Sequence, residues 1–269
     1  MEERDPEGGL HPGFDTTVAH PARVYDYWLG GKDNFTADRK AAEAVIAVRP
    51  SIIRDIRENR EFLGRAVRYL ATEIGIRQFL DIGTGIPTAD NTHEVAQRVA
   101  PESRIVYVDN DPIVLTHARA LLTSEPEGMC AYVDADLRDP DAILAAAADT
   151  LDFSQPVAVM LLAILQFASD DKVNAIMRRL IEGCAPGSFV TLSHPASDID
   201  AEPHGEMVRR MNQSLTEHAT LRDRAAVTRL FAGLELVEPG VVRAPEWRPA
   251  SDHHAASPAV LWVGVARKS

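Results

Sequence analysis

Arg77-Gln78-Phe79-Leu80-Asp81-Ile82-Gly83-Thr84-Gly85 is the stretch on which the reading of this chain turns. Phe79, Leu80 and Ile82 make residues 77–82 a short apolar strand, and the Gly-Thr-Gly that follows is a tight turn expected to lead into a helix. Glycines at such a turn let the backbone pass close to a ligand and adopt dihedrals closed to other residues. A dinucleotide fingerprint would need a third glycine three positions after Gly85, where Thr88 stands behind Pro87, so a pyrophosphate cradle is disfavoured. Asp81 agrees, because a carboxylate just before the turn repels a pyrophosphate and welcomes an ammonium group.

Downstream, residues 91–99, 112–122, 139–148 and 170–184 read as helices, alternating with strands at 104–108, 131–133, 157–162 and 188–193. That rhythm demands a mainly parallel, doubly wound sheet covered on both faces. Two strand-like runs at 235–242 and 259–266 break it, joined by a Pro-rich loop with no helix, and such a pair should be antiparallel. The expected fold is therefore α/β: a Rossmann-like, doubly wound, mainly parallel seven-stranded sheet with a C-terminal antiparallel hairpin.

Upstream there is no strand signal before residue 77. Residues 1 to about 18 are polar and expected to be disordered, whereas 21–66 read mainly as helix, with Ile52, Ile53, Ile56, Phe62 and Leu63 at helical spacing. The chain thus divides into an N-terminal segment and helical cap or lid over 1–70 and a core over 71–269. Tyr25, Tyr27, Trp28 and Phe35 crowd into eleven positions of a chain that is 6% aromatic, so these rings either roof a ligand site or pack as core. Gly30 and Gly31 should end the first helix, after which Lys32, Asp33 and Asn34 offer polar atoms to a ligand.

Composition narrows the functions. Acidic residues outnumber basic ones by 40 to 28, a net charge of -12 that makes nucleic acid or an anionic membrane surface a poor partner. With two cysteines and no apolar leader, neither a disulfide framework nor export is expected, and the reading is a cytoplasmic protein acting on a small molecule. The oligomeric state is not legible.

Carboxylates recur at the strand ends. The second strand closes on Asp109-Asn110-Asp111-Pro112; Asp111 suits the N-cap of the helix at Pro112, which leaves Asp109 to accept from ribose hydroxyls. The third strand ends in Asp134-Ala135-Asp136-Leu137, in register to meet an adenine.

These motifs, with Pro186-Gly187-Ser188-Phe189-Val190 on the fifth strand, resemble those of class I S-adenosylmethionine-dependent methyltransferases. The likeness is closer still to a bacterial family of uncharacterised S-adenosylmethionine-dependent methyltransferases. It rests on residues 21–35, PARVYDYWLGGKDNF, on 91–97, NTHEVAQ, and on 245–249, PEWRP, and it covers nearly everything from residue 20 onward. The resemblance implies S-adenosylmethionine as cofactor. It places Gly83, Thr84 and Gly85 against the methionyl part with Asp81 near its amino group, Asp109 on the ribose, and Asn110, Asp136 and Leu137 around the adenine. Ala163, Tyr25 and Asn34 join the cofactor set. The fourth strand ends Leu162-Ala163-Ile164-Leu165-Gln166-Phe167, without the Asn-Pro-Pro-aromatic tetrad of amide and base N-methyltransferases and without an acidic pair for a metal.

No metal site is expected: His93-Glu94 begins like a zinc protease helix, but Gln97 stands where the second His belongs. His253-His254 reads as an exposed loop pair. On the acceptor side the candidates are Tyr25, Trp28, Gln166 and His194, the last at the carboxyl end of the fifth strand and facing the crevice. No catalytic base is identified. The alternatives are a protein that binds S-adenosylmethionine or S-adenosylhomocysteine without turnover, and a nicotinamide oxidoreductase, which the missing third glycine disfavours.

Overall fold

The computed structural model describes residues 15–269 except 89, 115, 117–123 and 216. The expected disorder at residues 1 to about 18 falls outside the described residues except at 15–18, where Asp15 accepts from the Thr17 N–H and the Val18 carbonyl from Arg23; most of the expected helix at 112–122, which opens at Pro112, falls outside them too.

Among the described residues eight strands form one sheet: β1 Gln78–Ile82, β2 Arg104–Asp109, β3 Met129–Asp134, β4 Ala158–Leu162, β5 Phe189–Pro195, β6 Glu235–Leu236, β7 Val242–Arg243 and β8 Leu261–Arg267. Their order is β3-β2-β1-β4-β5-β8-β6, with β7 also on β8. The first five are parallel, and β8 runs antiparallel between β5 and the β6–β7 arm. That arm was expected as one strand; Pro239 lacks an N–H for the ladder and Gly240 sits at a φ of 84°, so it splits in two.

Period-two alternation sorts the buried strands onto two faces. Leu80, Ile82, Val106, Val108, Val159 and Leu161 face one core, covered by α5 Pro140–Ala147 and α6 Asp170–Glu182. Phe79, Ile105, Tyr107, Met160 and Leu162 face the other, covered by α4 Thr92–Val99 and the C-terminal half of α3 Ile52–Tyr69.

A third cluster stands apart from the sheet. It joins Val24 and Trp28 of α1 Pro21–Leu29, Ala42 and Val45 of α2 Thr36–Val48, Ile52 and Ile56 of α3, and Met207 and Val208 of α7 Ala201–Ser214. The long helix α3 thus enters both layers, its first turns in this cap and its last turns on the sheet. The expected N-terminal helix is three helices, and α7, which joins them from the far side of the chain, carries no expectation from sequence. Between the hairpin arms, where no helix was expected, lie a 3-10 turn at Ala244–Glu246 and a one-turn helix at Asp252–Ala255. No helix among the described residues is long and apolar enough to cross a membrane.

Candidate functional site

A cavity lies where the cap meets the carboxyl ends of the parallel strands, the crevice in which open α/β sheets bind ligands. Its floor begins at the glycine turn. Gly83 and Gly85 adopt φ of 75° and 67°, a region that costs an L side chain roughly 1–2 kcal/mol. The two glycines differ in what surrounds them. A Cβ on Gly83 would lie 2.4 Å from the Ile164 side chain, whereas a Cβ on Gly85 would meet nothing within 4 Å and would project into open space. The turn does not run into a helix as expected; six residues, 86–91, intervene before α4, which Asn91 and Glu94 close with a capping box.

The three strand-end carboxylates all line the cavity, each held differently. Asp81 accepts from the Thr92 hydroxyl at 2.6 Å, and burial pushes its carboxyl up to about 6. Asp109 accepts from the Gly85 N–H at 2.8 Å and the Asp111 N–H at 3.0 Å, so it pins the glycine turn to the end of β2; burial raises its pKa as well. Asp111 accepts from the Ile113 N–H at 2.8 Å, the geometry of an N-cap, and its other oxygen lies 2.9 Å from His20. Asp136 is gripped by Arg138, at 2.8 and 2.5 Å, which holds its carboxyl below the usual range. Arg138 also reaches Glu217, just beyond α7, at 3.2 Å, so an ion pair bridges sheet and cap at the cavity wall.

Gly83, Thr84, Gly85, Asn110, Leu137 and Ala163 line the same cavity. Ala163 holds a φ of 51°, and its N–H donates to the Ser193 hydroxyl at 2.9 Å. A strained non-glycine residue on a cavity wall is a mark of a functional site. From the cap come Tyr25, whose hydroxyl accepts from the Asn59 amide at 3.0 Å, and Trp28, whose indole N–H donates to the Ala42 carbonyl at 3.3 Å. Trp28 is both cap core and cavity wall, so the two readings of the aromatic cluster coincide there. Tyr27 lies outside, against Glu43.

Two predicted residues lie elsewhere. Asn34 turns away from the cavity, donating to the Asp26 carboxylate at 2.8 Å and to the Gly31 carbonyl at 3.0 Å. His194 is fully buried behind the wall rather than facing the crevice. Its Nδ1 bonds the Pro195 carbonyl at 3.0 Å, leaving Nε2 to accept from Arg222 at 2.7 Å, and burial drives its pKa down to about 3. Arg222 in turn fastens the Leu165 and Ala168 carbonyls and Asp170, so His194 belongs to a structural bolt.

Sequence reasoning missed the far wall: Asp55 and Asn59 of α3 and His204, Met207, Val208 and Met211 of α7. Burial lowers His204 to about 4, so the ring is neutral at pH 7. Asp55 is paired with Arg49, itself bonded to Asp200. Nothing in their spacing signals a site, since they converge only when α7 packs on α2 and closes the cap cluster. His254, expected in an exposed loop, instead meets Glu58 at 2.9 Å and Glu61 at 3.1 Å beside Arg65, three groups close enough to share a cation. The Arg65 guanidinium already supplies positive charge there while binding the Ala244 and Trp247 carbonyls, so the cluster fastens the C-terminal loop to α3.

A family model described as S-adenosyl methyltransferase matches residues 8–269. A DUF574 family protein from Streptomyces avermitilis MA-4680 is 46% identical, with 95% of this chain and 99% of that one covered and a TM-score of 0.90. A protein of Thermobifida fusca YX proposed to be a methyltransferase is 42% identical over 96% of this chain and 98% of that one, with a TM-score of 0.88. Magnesium protoporphyrin IX methyltransferase from Synechocystis PCC 6803, at 10% identity over 91% and 93% and a TM-score of 0.54, shares the fold alone. No curated protein matches the chain.

Proposed function

This chain belongs to the S-adenosyl methyltransferase family, and on that premise we propose that the cavity holds S-adenosylmethionine along the ends of β1, β2 and β3 and passes its methyl group to a small-molecule acceptor under the cap. One observation carries the reading: Asp81, Asp109 and Asp136, from three adjacent strands, line a single cavity together with the glycine turn. The fit to the cofactor is a matter of chemistry. The open space over Gly85 admits a ligand against the backbone, and the acidic row suits a ligand carrying an ammonium and a sulfonium charge.

Asp81 is the partner of the ammonium group and Asp109 of the ribose, with Asn110, Leu137 and the Asp136 region around the adenine. When bound, the cofactor supplies a methyl group already activated on sulfur. The residues of the chain then have to align the acceptor and exclude water, which the apolar cap wall can do. The helices before residue 70 act as a roof over both ligands.

Calorimetry with S-adenosylhomocysteine tests this. One site per chain is expected, with no response to NAD; tight NAD binding and no response to S-adenosylhomocysteine would overturn it.

A further inference from the structure

Gln166 follows β4, the strand beside β1, and lines the cavity. Its amide is oriented unambiguously, because Nε2 donates to the Ala163 carbonyl at 2.7 Å and a carbonyl can only accept. Its backbone oxygen is also engaged, accepting from the Thr220 N–H at 2.8 Å. The side-chain Oε1 is buried and has no hydrogen-bond partner among the described residues. A buried carbonyl left without a donor is a net cost to the fold, which a donor supplied by a bound molecule would offset.

The rest of that half of the cavity is mainly apolar, with Trp28, Ile52, Ile56, Met207, Val208 and Met211 surrounding the polar groups of Tyr25, Asn59 and His204. Its charged groups are already engaged. Arg138 is shared between Asp136 and Glu217, Arg60 bonds the Asp90 carbonyl and the Asn91 side chain, and Asp55 is paired with Arg49. A ligand bringing a carboxylate to Gln166 would set oxygen against oxygen.

We infer that Gln166 is the polar anchor of the methyl acceptor, and that the acceptor is a largely apolar molecule presenting a hydroxyl or amine N–H/O–H donor to Oε1. This rests on the methyltransferase reading, which places the cofactor beside β1. The flexible thioethers of Met207 and Met211 adapt to a flat or irregular apolar body, and the oriented Gln166 acceptor fixes which end of it points toward β4.

The test uses the full-length protein saturated with S-adenosylhomocysteine, titrated with 2-naphthol, 2-naphthylamine, 2-methoxynaphthalene and 2-naphthoate. The two donors are expected to bind at least tenfold tighter than the methoxy compound, and naphthoate weakest. A stronger response to naphthol than to naphthylamine, or the reverse, separates hydroxyl from amine acceptors. Gln166→Leu should remove the preference for donors while holding 2-methoxynaphthalene and S-adenosylhomocysteine within about twofold of the wild type; Gln166→Glu should retain the amine. Equal binding of donors and methoxy compound, an unchanged preference in Gln166→Leu, or no binding of any naphthyl probe would overturn the proposal. Failure of S-adenosylhomocysteine itself to bind would instead overturn the methyltransferase reading beneath it.

Discussion

The two halves of the cavity are built by different means. The half under β1, β2 and β3 is made of strand ends, where short local hydrogen bonds fix every carboxylate: Asp81 to the Thr92 hydroxyl, Asp109 to the Gly85 and Asp111 N–H groups, Asp136 to the Arg138 N–H and guanidinium. The half under the cap is made of helix faces brought together from residues 21–63 and 201–214, and its side chains are held by packing. A site fixed by backbone geometry tolerates little variation, while one fixed by packing can change its lining without losing its frame.

If the halves are this separate, changes in each should register in different measurements. The largest effect is expected from Trp28→Ala, which empties the middle of the cap cluster and should cost about 3–5 kcal/mol of unfolding free energy in denaturant titration. A loss below about 1 kcal/mol would mean that the cap is not held by packing. Next comes Gly85→Val, expected to remain folded but to bind S-adenosylhomocysteine on the order of a hundredfold more weakly, about 2.7 kcal/mol. Its Cβ enters open space at a positive φ, so unchanged affinity would move the ligand away from the turn.

Asp109→Ala should weaken the same ligand by about 1.5–3 kcal/mol through lost charge-assisted hydrogen bonds, and leave the cap cluster undisturbed. The smallest expected effect is one of pH. Asp81 ionises near 6, so its attraction for an ammonium group is complete above that value and fades as pH falls through it. Affinity for S-adenosylhomocysteine should therefore drop, by at most tenfold per unit, from pH 6 downward, and Asp81→Asn should flatten the profile. In the free protein the sign reverses: the raised pKa makes the folded chain protonate first, so this group adds stability as pH falls from about 6 toward 3.8. A profile with no inflection near 6 in the wild type would take Asp81 out of the ammonium site.

The same contrast explains what the sequence disclosed. Residues 77–111 were legible because strand, glycine turn and terminal carboxylate are local signals, and Asp111 even separates from Asp109 by its place before Pro112. His194 was misplaced because strand alternation alone does not say whether a polar side chain meets a ligand or an arginine such as Arg222, 28 positions away. Asn34 was misread because its partner, Asp26, lies on the preceding helix. The far wall was invisible for a more general reason: Met207, Val208 and Ile56 are ordinary apolar residues whose significance arises only when α7 packs on α2 and joins the cap cluster.

The turn after α1 ties two positions together in sequence space. The Asp26 carboxylate accepts from the Asp33 N–H at 3.0 Å and from the Asn34 amide, and it fills the volume where a Cβ on residue 31 would stand, 1.9 Å from Oδ1. Substitution at either site alone is therefore blocked in one direction: any side chain at 31 displaces the carboxylate, whereas a smaller residue at 26 opens room for one. Among relatives of this chain, positions 26 and 31 should covary, with glycine at 31 obligatory wherever aspartate stands at 26 and released wherever it does not.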